Sequence, residues 1–168
     1  IFEERVGTIV FILNMFVKLN TGIYQNGVLV SKNVFIKDGK IKKITSQELK
    51  ADNIINAKNK IIIPGLIDSH VHFREPGLTH KEDFLSGSMA AAAGGITTFL
   101  DMPNTIPPTI NLQRLEEKRR LAKKSLVNYG FHFGSTNNNI AEIKKVKDVA
   151  SVKVYMDYTT GDLRLYKN

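Results

Sequence analysis

Two histidines spaced two residues apart, His70 and His72, are the residues of this 168-residue chain best suited to chemistry. They follow the apolar run IIIPGLI (residues 61–67), which is short and rich in β-branched residues and therefore predicts a buried strand. Side chains two apart on a strand face the same way, with about 7 Å of backbone between them. Two imidazoles on one face can bind a divalent metal such as zinc. A hydrogen-bonded pair of histidines at a strand end fits the same spacing, so spacing alone leaves both interpretations open.

Arg74 and Asn104 are candidates for binding a substrate. Arg74 follows the two histidines at the same parity, and a guanidinium group binds a carboxylate through two parallel hydrogen bonds. Asn104, in the segment MPNT, offers both a donor and an acceptor to an amide-like ring. An ordinary surface arginine and an ordinary turn asparagine are the alternatives.

Two aspartates, Asp68 and Asp101, stand where predicted strands end. Either could orient a metal-binding histidine from behind, which is a common arrangement. Either could equally hydrogen-bond the backbone at the strand end or cap the following turn. His80 and His132 match no ligand position. His132, within the segment YGFHFG, is expected to be a core or rim histidine with its hydrogen bonds satisfied.

Lys153 stands in the apolar segment VKVYM, where a charged amine is costly to bury. Burial lowers the pKa of a lysine, and a neutral amine can react with carbon dioxide to form an anionic carbamate. Such a group could bridge two metal ions. On the residues alone, a lysine whose ammonium group reaches the strand end fits this position better.

From Lys60 onward the sequence alternates strand and helix, which indicates parallel βαβ units. About four strands and three helices are predicted, or half of a (β/α)8 barrel, which takes about 250 residues. The predicted strands span 61–68, 96–102, 128–134 and 151–157. The predicted helices span 81–93, 112–125 and 139–149, with Asn111 as the N-cap of the second. The candidate residues fall at the carboxyl ends of these strands, where barrel enzymes have their active sites.

The residues before Lys60 follow a different pattern. Residues 15–59 contain short alternating segments and the turn signals Gln25-Asn26-Gly27 and Asp38-Gly39, which predict a small β unit. Residues 1–14 are expected to be a non-native or upstream extension, because the chain starts with Ile rather than Met; an extra edge strand is the alternative. Their apolar stretch is too short to span a membrane and lacks the features of a signal peptide. The predicted domains are therefore 1–14, 15–59 and 60–168.

Composition narrows the function classes. The chain has no cysteine, which excludes disulfides and thiolate metal sites and fits a reducing cytoplasm. Its net charge is +8, but the lysines are spread over predicted helices and turns without interleaved aromatic residues. We therefore expect a solvated basic surface rather than a nucleic-acid or membrane interface, and a positive field that suits an anionic small molecule.

Two stretches carry a family resemblance. The strings DSHVHFREPGLTHKEDF (residues 68–84) and AAAAGGITTFLDMPNTIPPT (residues 90–109) closely resemble the dihydroorotases of the amidohydrolase superfamily. The clear match covers about residues 58–109, and a weaker one extends from about Met15 to the end. Arg74 is typical of dihydroorotases, whereas allantoinases tend to have a serine there and hydantoinases differ more after the second histidine.

The resemblance implies a partial TIM barrel preceded by part of a small β-sandwich. It also implies the zinc-dependent, reversible hydrolysis of L-dihydroorotate to N-carbamoyl-L-aspartate in pyrimidine biosynthesis. One or two zinc ions would be bound by His70, His72 and a carboxylated Lys153, and the substrate would contact His72, Arg74 and Asn104. In the family, two further metal histidines and the catalytic acid lie on later strands, so no catalytic acid or base is assigned here and the isolated chain is expected to be inactive.

The alternatives are an allantoinase- or hydantoinase-type cyclic amidohydrolase and a non-catalytic dihydroorotase-like partner subunit. Exposed strand edges would favour self-association, and the partner subunit would associate with a transcarbamoylase.

Overall fold

The computed structural model describes residues 17–161 and 163–165. The predictions for residues 1–14 lie outside this range. The chain divides into two compact units, the first ending at Gly65 and the second beginning at Leu66. No helix in the described ranges is long and apolar enough to cross a membrane.

The first unit is a four-stranded sheet. Its strands are β1 (Val17–Gln25), β2 (Val28–Lys37), β3 (Lys40–Thr45) and β4 (Asn53–Ile62), in the order β3-β2-β1-β4. The two predicted hairpin turns are present, since Asn26-Gly27 and Asp38-Gly39 adopt positive φ angles and connect antiparallel strands. β4 instead pairs with β1 in parallel.

The prediction of one strand across IIIPGLID was wrong. Ile61 and Ile62 end β4 in the first sheet, and a new strand begins at Leu66 in the second. Pro64-Gly65 lies between them, as expected of residues that interrupt a strand. The second strand is also not buried: Leu66 and Ile67 are 50% and 66% exposed, because among the described residues this strand has a neighbour on one side only.

The second unit has the predicted four parallel strands and three helices of a half-barrel. The strands pair in chain order: β5 (Leu66–Val71), β6 (Ile96–Asp101), β7 (Asn128–Gly134) and β8 (Ser151–Lys153). The helices are α1 (Phe84–Ala93), α2 (Leu112–Leu121) and α3 (Ile140–Ile143), and a 3-10 turn, Ala122–Lys124, extends α2.

Helix boundaries depend on local caps. α1 begins three residues later than predicted because Asp83 is its N-cap and forms a capping box with Ser86. Asn111 caps α2 as predicted, accepting a hydrogen bond from the Arg114 amide at 2.9 Å. α3 is only four residues long, not the eleven predicted, and Asp148 near the predicted end has a positive φ of 55° that a helix does not allow.

The core of the second unit is aromatic. Phe84, Phe99 and Phe133 are fully buried, and Phe73 packs on Phe99 with 4.5 Å between ring centroids. Phe73 directly follows His72, so the aromatic core anchors the chain next to this candidate residue.

The loop between β5 and α1 is held by a buried carboxylate. Glu75 accepts a hydrogen bond from the amide of Phe84 at 3.0 Å and forms an ion pair with Lys124 at 3.0 Å. Lys124 also contacts Asp83 at 2.9 Å. These contacts fix the residue next to Arg74.

Candidate active site

His70 and His72 lie together at the carboxyl end of β5. Their ring centroids are 5.2 Å apart and the rings are tilted by 54°. His70 is exposed, and neither of its ring nitrogens has a hydrogen-bond partner within residues 17–161 and 163–165. The adjacency of the two imidazoles that the spacing predicts is present.

His72 is held by Asn104. Nδ1 of His72 lies 2.8 Å from Oδ1 of Asn104, and the Asn104 amide donates to the hydroxyl of Thr159 at 3.0 Å. Since an amide oxygen only accepts, this contact requires a proton on Nδ1 of His72, and in the neutral imidazole the lone pair is then on Nε2. Asn104 is buried, so its contacts to His72 and Thr159 are shielded from water.

Lys153 lies near this pair at the end of β8. It is half-buried, its carbonyl accepts two hydrogen bonds from Ser135 at 2.9 Å, and its Nζ is 5.3 Å from the ring centroid of Tyr155. Partial desolvation by the neighbouring protein atoms, and then the positive charge of Lys153, lower the pKa of His70. A neutral imidazole is the form that binds a metal.

The two aspartates bind backbone amides. Asp68 accepts a hydrogen bond from the amide of His70 at 3.0 Å, and Asp101 accepts one from the amide of Phe73 at 2.7 Å. Neither makes a hydrogen bond to an imidazole in the described part of the chain. Both therefore fix the backbone beside a histidine rather than the ring itself.

Lys118 is a site-supporting residue that the sequence interpretation missed. The basic face of α2 was expected to be solvated, yet Lys118 is fully buried and forms an ion pair with Asp101 at 2.6 Å. Burial raises the pKa of Asp101 to about 6 against the attraction of Lys118. The sequence contained a signal for this burial, because Leu115, Lys118 and Ala122 are spaced three and four residues apart and so lie on one stripe of the helix. All three are buried.

Arg74 and His132 have contrasting surroundings. The guanidinium group of Arg74 forms no ion pair with any residue the structure describes. His132 is buried, and its ring nitrogens contact the Ser151 hydroxyl at 2.7 Å and the Ser69 carbonyl at 3.0 Å. The prediction of a satisfied structural histidine at this position is confirmed. His80 is exposed.

The residues present suit part of a metal site. Two neighbouring imidazoles, one with its Nε2 lone pair fixed by a hydrogen bond at Nδ1, are the donor type zinc prefers. Within the described ranges no three histidine, cysteine, aspartate or glutamate side chains come together as a metal site. The fit is that of two ligands, with Lys153 nearby, rather than a complete set.

Parallel strands paired in chain order, with a histidine pair at their carboxyl edge, are the architecture of part of a (β/α)8 barrel. The model of the amidohydrolase family matches residues 61–162, and the chain belongs to that family. The chain is 47% identical over 130 residues to a dihydroorotase of Methanothermobacter thermautotrophicus, covering 76% of this chain and 30% of that protein. It is 44% identical over 151 residues to a dihydroorotase of Methanosarcina mazei, covering 87% and 33%.

Solved structures agree on the fold. L-hydantoinase from Arthrobacter aurescens superposes with a TM-score of 0.79 at 29% identity, covering 89% of this chain and 35% of that one. A D-hydantoinase superposes with a TM-score of 0.73 at 32% identity, covering 90% and 35%. The chain thus spans about a third of the length of the relatives it matches.

Proposed function

We propose that this chain is the amino-terminal part of a zinc-dependent dihydroorotase. The reaction is the reversible hydrolysis of L-dihydroorotate to N-carbamoyl-L-aspartate, a step of pyrimidine biosynthesis in the cytoplasm. The carrying observation is the site itself: two adjacent imidazoles at the end of β5, that of His72 hydrogen-bonded to Asn104, followed two residues later in the sequence by Arg74. The similarity to dihydroorotases supports the same substrate.

In the hydrolytic direction the ring amide C–N bond breaks. The hydroxyl of water goes to the carbonyl carbon and its proton to the leaving nitrogen. Bound zinc supplies Lewis acidity and makes water a better nucleophile at neutral pH. His70 and His72 would hold the metal through ring nitrogens, and the hydrogen bond from Nδ1 of His72 to Asn104 would keep one of them oriented.

The carboxylate of dihydroorotate is the group we assign to Arg74. A guanidinium fork binds a carboxylate in one orientation and so sets which ring carbonyl faces the histidines. Asn104 is expected to contact the ring with a hydrogen-bonding position not used by His72 and Thr159.

Lys153 is proposed as a further metal ligand in its carboxylated form. The neutral amine adds to carbon dioxide, one N–C bond forms, and one proton leaves, which gives an anionic two-oxygen ligand. The lowering of the His70 pKa by the charge of Lys153 supports this assignment, since it requires the two side chains to share one region of the strand edge. One or two zinc ions would be bound, with the remaining ligands and the catalytic acid contributed from outside residues 17–165.

A hydantoinase-type cyclic amidohydrolase is the second candidate, because the half-barrel superposes on hydantoinases. Arg74 distinguishes the two, since a hydantoin ring has no adjoining carboxylate. A non-catalytic partner subunit of a transcarbamoylase is the third alternative from the sequence, and a homo-oligomer is compatible with any of the three.

The test is a comparison of substrates by the full-length protein as its gene encodes it. With zinc supplied, turnover should be at least about 10-fold more efficient for L-dihydroorotate than for allantoin or a 5-substituted hydantoin, because only dihydroorotate engages Arg74. Chelation should remove the activity and zinc should restore it. A preference for hydantoin would establish the second candidate. Zinc binding without turnover of any of these rings would leave the non-catalytic alternative.

A further inference from the structure

The buried pair of Lys118 and Asp101 has contacts that stability alone does not require. Nζ of Lys118 lies 2.6 Å from Oδ2 of Asp101 and donates to the carbonyl oxygen of Met102 at 2.7 Å. Both charged side chains are fully buried. Replacing such a pair with apolar residues is often neutral or stabilising, whereas removing one partner alone is strongly destabilising because it leaves a buried charge. Stability alone therefore does not explain why a buried ion pair stands at this position.

Those contacts bracket His72 in the backbone. The residue before it, Val71, accepts a hydrogen bond from the amide of Met102 at 2.9 Å. The residue after it, Phe73, donates its amide hydrogen to Oδ1 of Asp101 at 2.7 Å. Asp101 and Met102 are thus the two residues that hold His72 from either side, and Lys118 binds both of them.

The pair is also linked through the backbone to Asn104, the hydrogen-bond partner of His72. Asn104 is two residues beyond Met102 and reaches back to Nδ1 of His72 at 2.8 Å. A shift of the Asp101-Met102 backbone would move His72 and Asn104 relative to each other. A hydrogen bond weakens steeply once its distance and angle leave the optimal range.

We propose that Lys118, acting through Asp101 and Met102, is a positioning residue that fixes the Nδ1–H tautomer and the orientation of His72. This role rests on the proposed function in one respect, the use of His72 as a metal ligand. The lysine comes from α2 on the outside of the half-barrel, so the helix layer transmits its position to the strand edge through a buried ion pair with Asp101 and a hydrogen bond to Met102.

The test uses two variants of the full-length protein. Lys118→Met removes the amine at similar length, and the double variant Lys118→Met with Asp101→Leu removes the pair without leaving a buried charge. Lys123→Met is the matched control, because Lys123 is an exposed lysine five residues further along, in the 3-10 turn that extends α2. The first readout is the ¹⁵N spectrum of the metal-free, histidine-labelled protein, which distinguishes Nδ1–H from Nε2–H. The second is zinc affinity by competition with a chromophoric chelator.

In the wild type and the control, the signal of His72 should be that of a single Nδ1–H tautomer. In the folded double variant it should become a mixture, and zinc affinity should fall by about 10- to 100-fold, as for other supports of metal ligands. A double variant that is stable and keeps both properties would overturn the proposal. If the double variant does not fold, the same two measurements are made on Lys118→Met, in which Asp101 can become neutral by protonation. A mixture of tautomers with weaker zinc binding would again support the proposal, and unchanged values would overturn it. Neither measurement depends on turnover. A wild-type protein without activity would therefore refute the proposed function, but the test of Lys118 would still be decisive.

Discussion

Nδ1 of His72 and Oδ1 of Asn104 are 2.8 Å apart, although the two residues are 32 positions apart in the sequence. This contact joins the ends of two neighbouring parallel strands, β5 and β6. It gives the histidine a defined tautomer and gives the asparagine a role besides the substrate binding proposed for it.

Replacing Asn104 by Leu should weaken zinc binding by about 10- to 100-fold, because His72 loses the acceptor that fixes its Nε2 lone pair. Asn104→Asp keeps an acceptor at the same place and should retain most of the affinity. Thr159→Val removes only the second partner of Asn104 and is the control. Equal zinc affinity in the Leu and Asp variants would show that the contact does not matter for the metal.

The second prediction concerns Arg74. A hydrogen-bonded ion pair is worth ~1.5–3 kcal/mol, so Arg74→Ser should raise KM for L-dihydroorotate by about 10- to 100-fold. Arg74→Lys should recover only part of this, because an ammonium group lacks the planar fork. Dihydrouracil, the same ring without the carboxylate, is the control substrate. If both substrates lose affinity equally, Arg74 does not recognise the carboxylate.

The sequence was sufficient to predict those features that depend on a few neighbouring residues. The turns at Asn26-Gly27 and Asp38-Gly39 and the Asn111 cap follow from the preferences of single residues, and all are present. The half-barrel follows from the alternation of strand and helix. The strand break at Pro64-Gly65 was misread, because periodicity does not tell one strand from two that enter different sheets.

Tertiary contacts account for what the sequence could not supply. The burial of Lys118 depends on a carboxylate from another element, Asp101, and the role of Asp101 depends on an amide 28 residues away. The His72–Asn104 contact likewise requires the strand register, which pairs Val71 with Asp101. Residue types indicated candidates at these positions, but only the packing of α2 and the pairing of β5 with β6 determine their partners.

The third prediction concerns acid stability. Hydrogen bonds from the amide of Ser86 and from Lys124 lower the pKa of Asp83 to about 2, below its usual value of 3.8. Because the folded-state pKa is depressed, the stabilisation from the charged form is present above about pH 4 and is lost as the pH falls toward 2. Asp83→Asn should keep the helix cap but remove this pH dependence, since asparagine caps equally well without a charge.

Urea denaturation of the full-length protein at a series of pH values would measure this difference. Asp83→Ala should instead lose about 1 kcal/mol at neutral pH, because the cap itself is gone. A gap between wild type and Asp83→Asn that stays constant from pH 5 to pH 2 would contradict the assignment of the charge effect to Asp83.

The fourth prediction concerns Gly87 on α1. A Cβ atom at this position would lie 2.7 Å from two atoms of the Phe73 ring, and that ring packs against Phe84 and Phe99. Alanine normally improves a helix interior by about 1 kcal/mol over glycine. Here the clash should outweigh that gain, and Gly87→Ala should destabilise the protein by about 1–3 kcal/mol, as overpacking does.

Displacement of the Phe73 ring has a functional consequence, since Phe73 follows His72 and the amide of Phe73 binds Asp101. Gly87→Ala should therefore lower zinc affinity as well as the midpoint of unfolding. Gly130→Ala is the matched control: its added Cβ would also come within 2.7 Å of a neighbour, but that neighbour is the end of the Leu100 side chain, which can rotate away. Its loss of stability should be smaller, with zinc affinity unchanged. A Gly87→Ala protein that is more stable than wild type would show that the Phe73 ring is free to move, and the anchoring of His72 by the aromatic core would then be wrong.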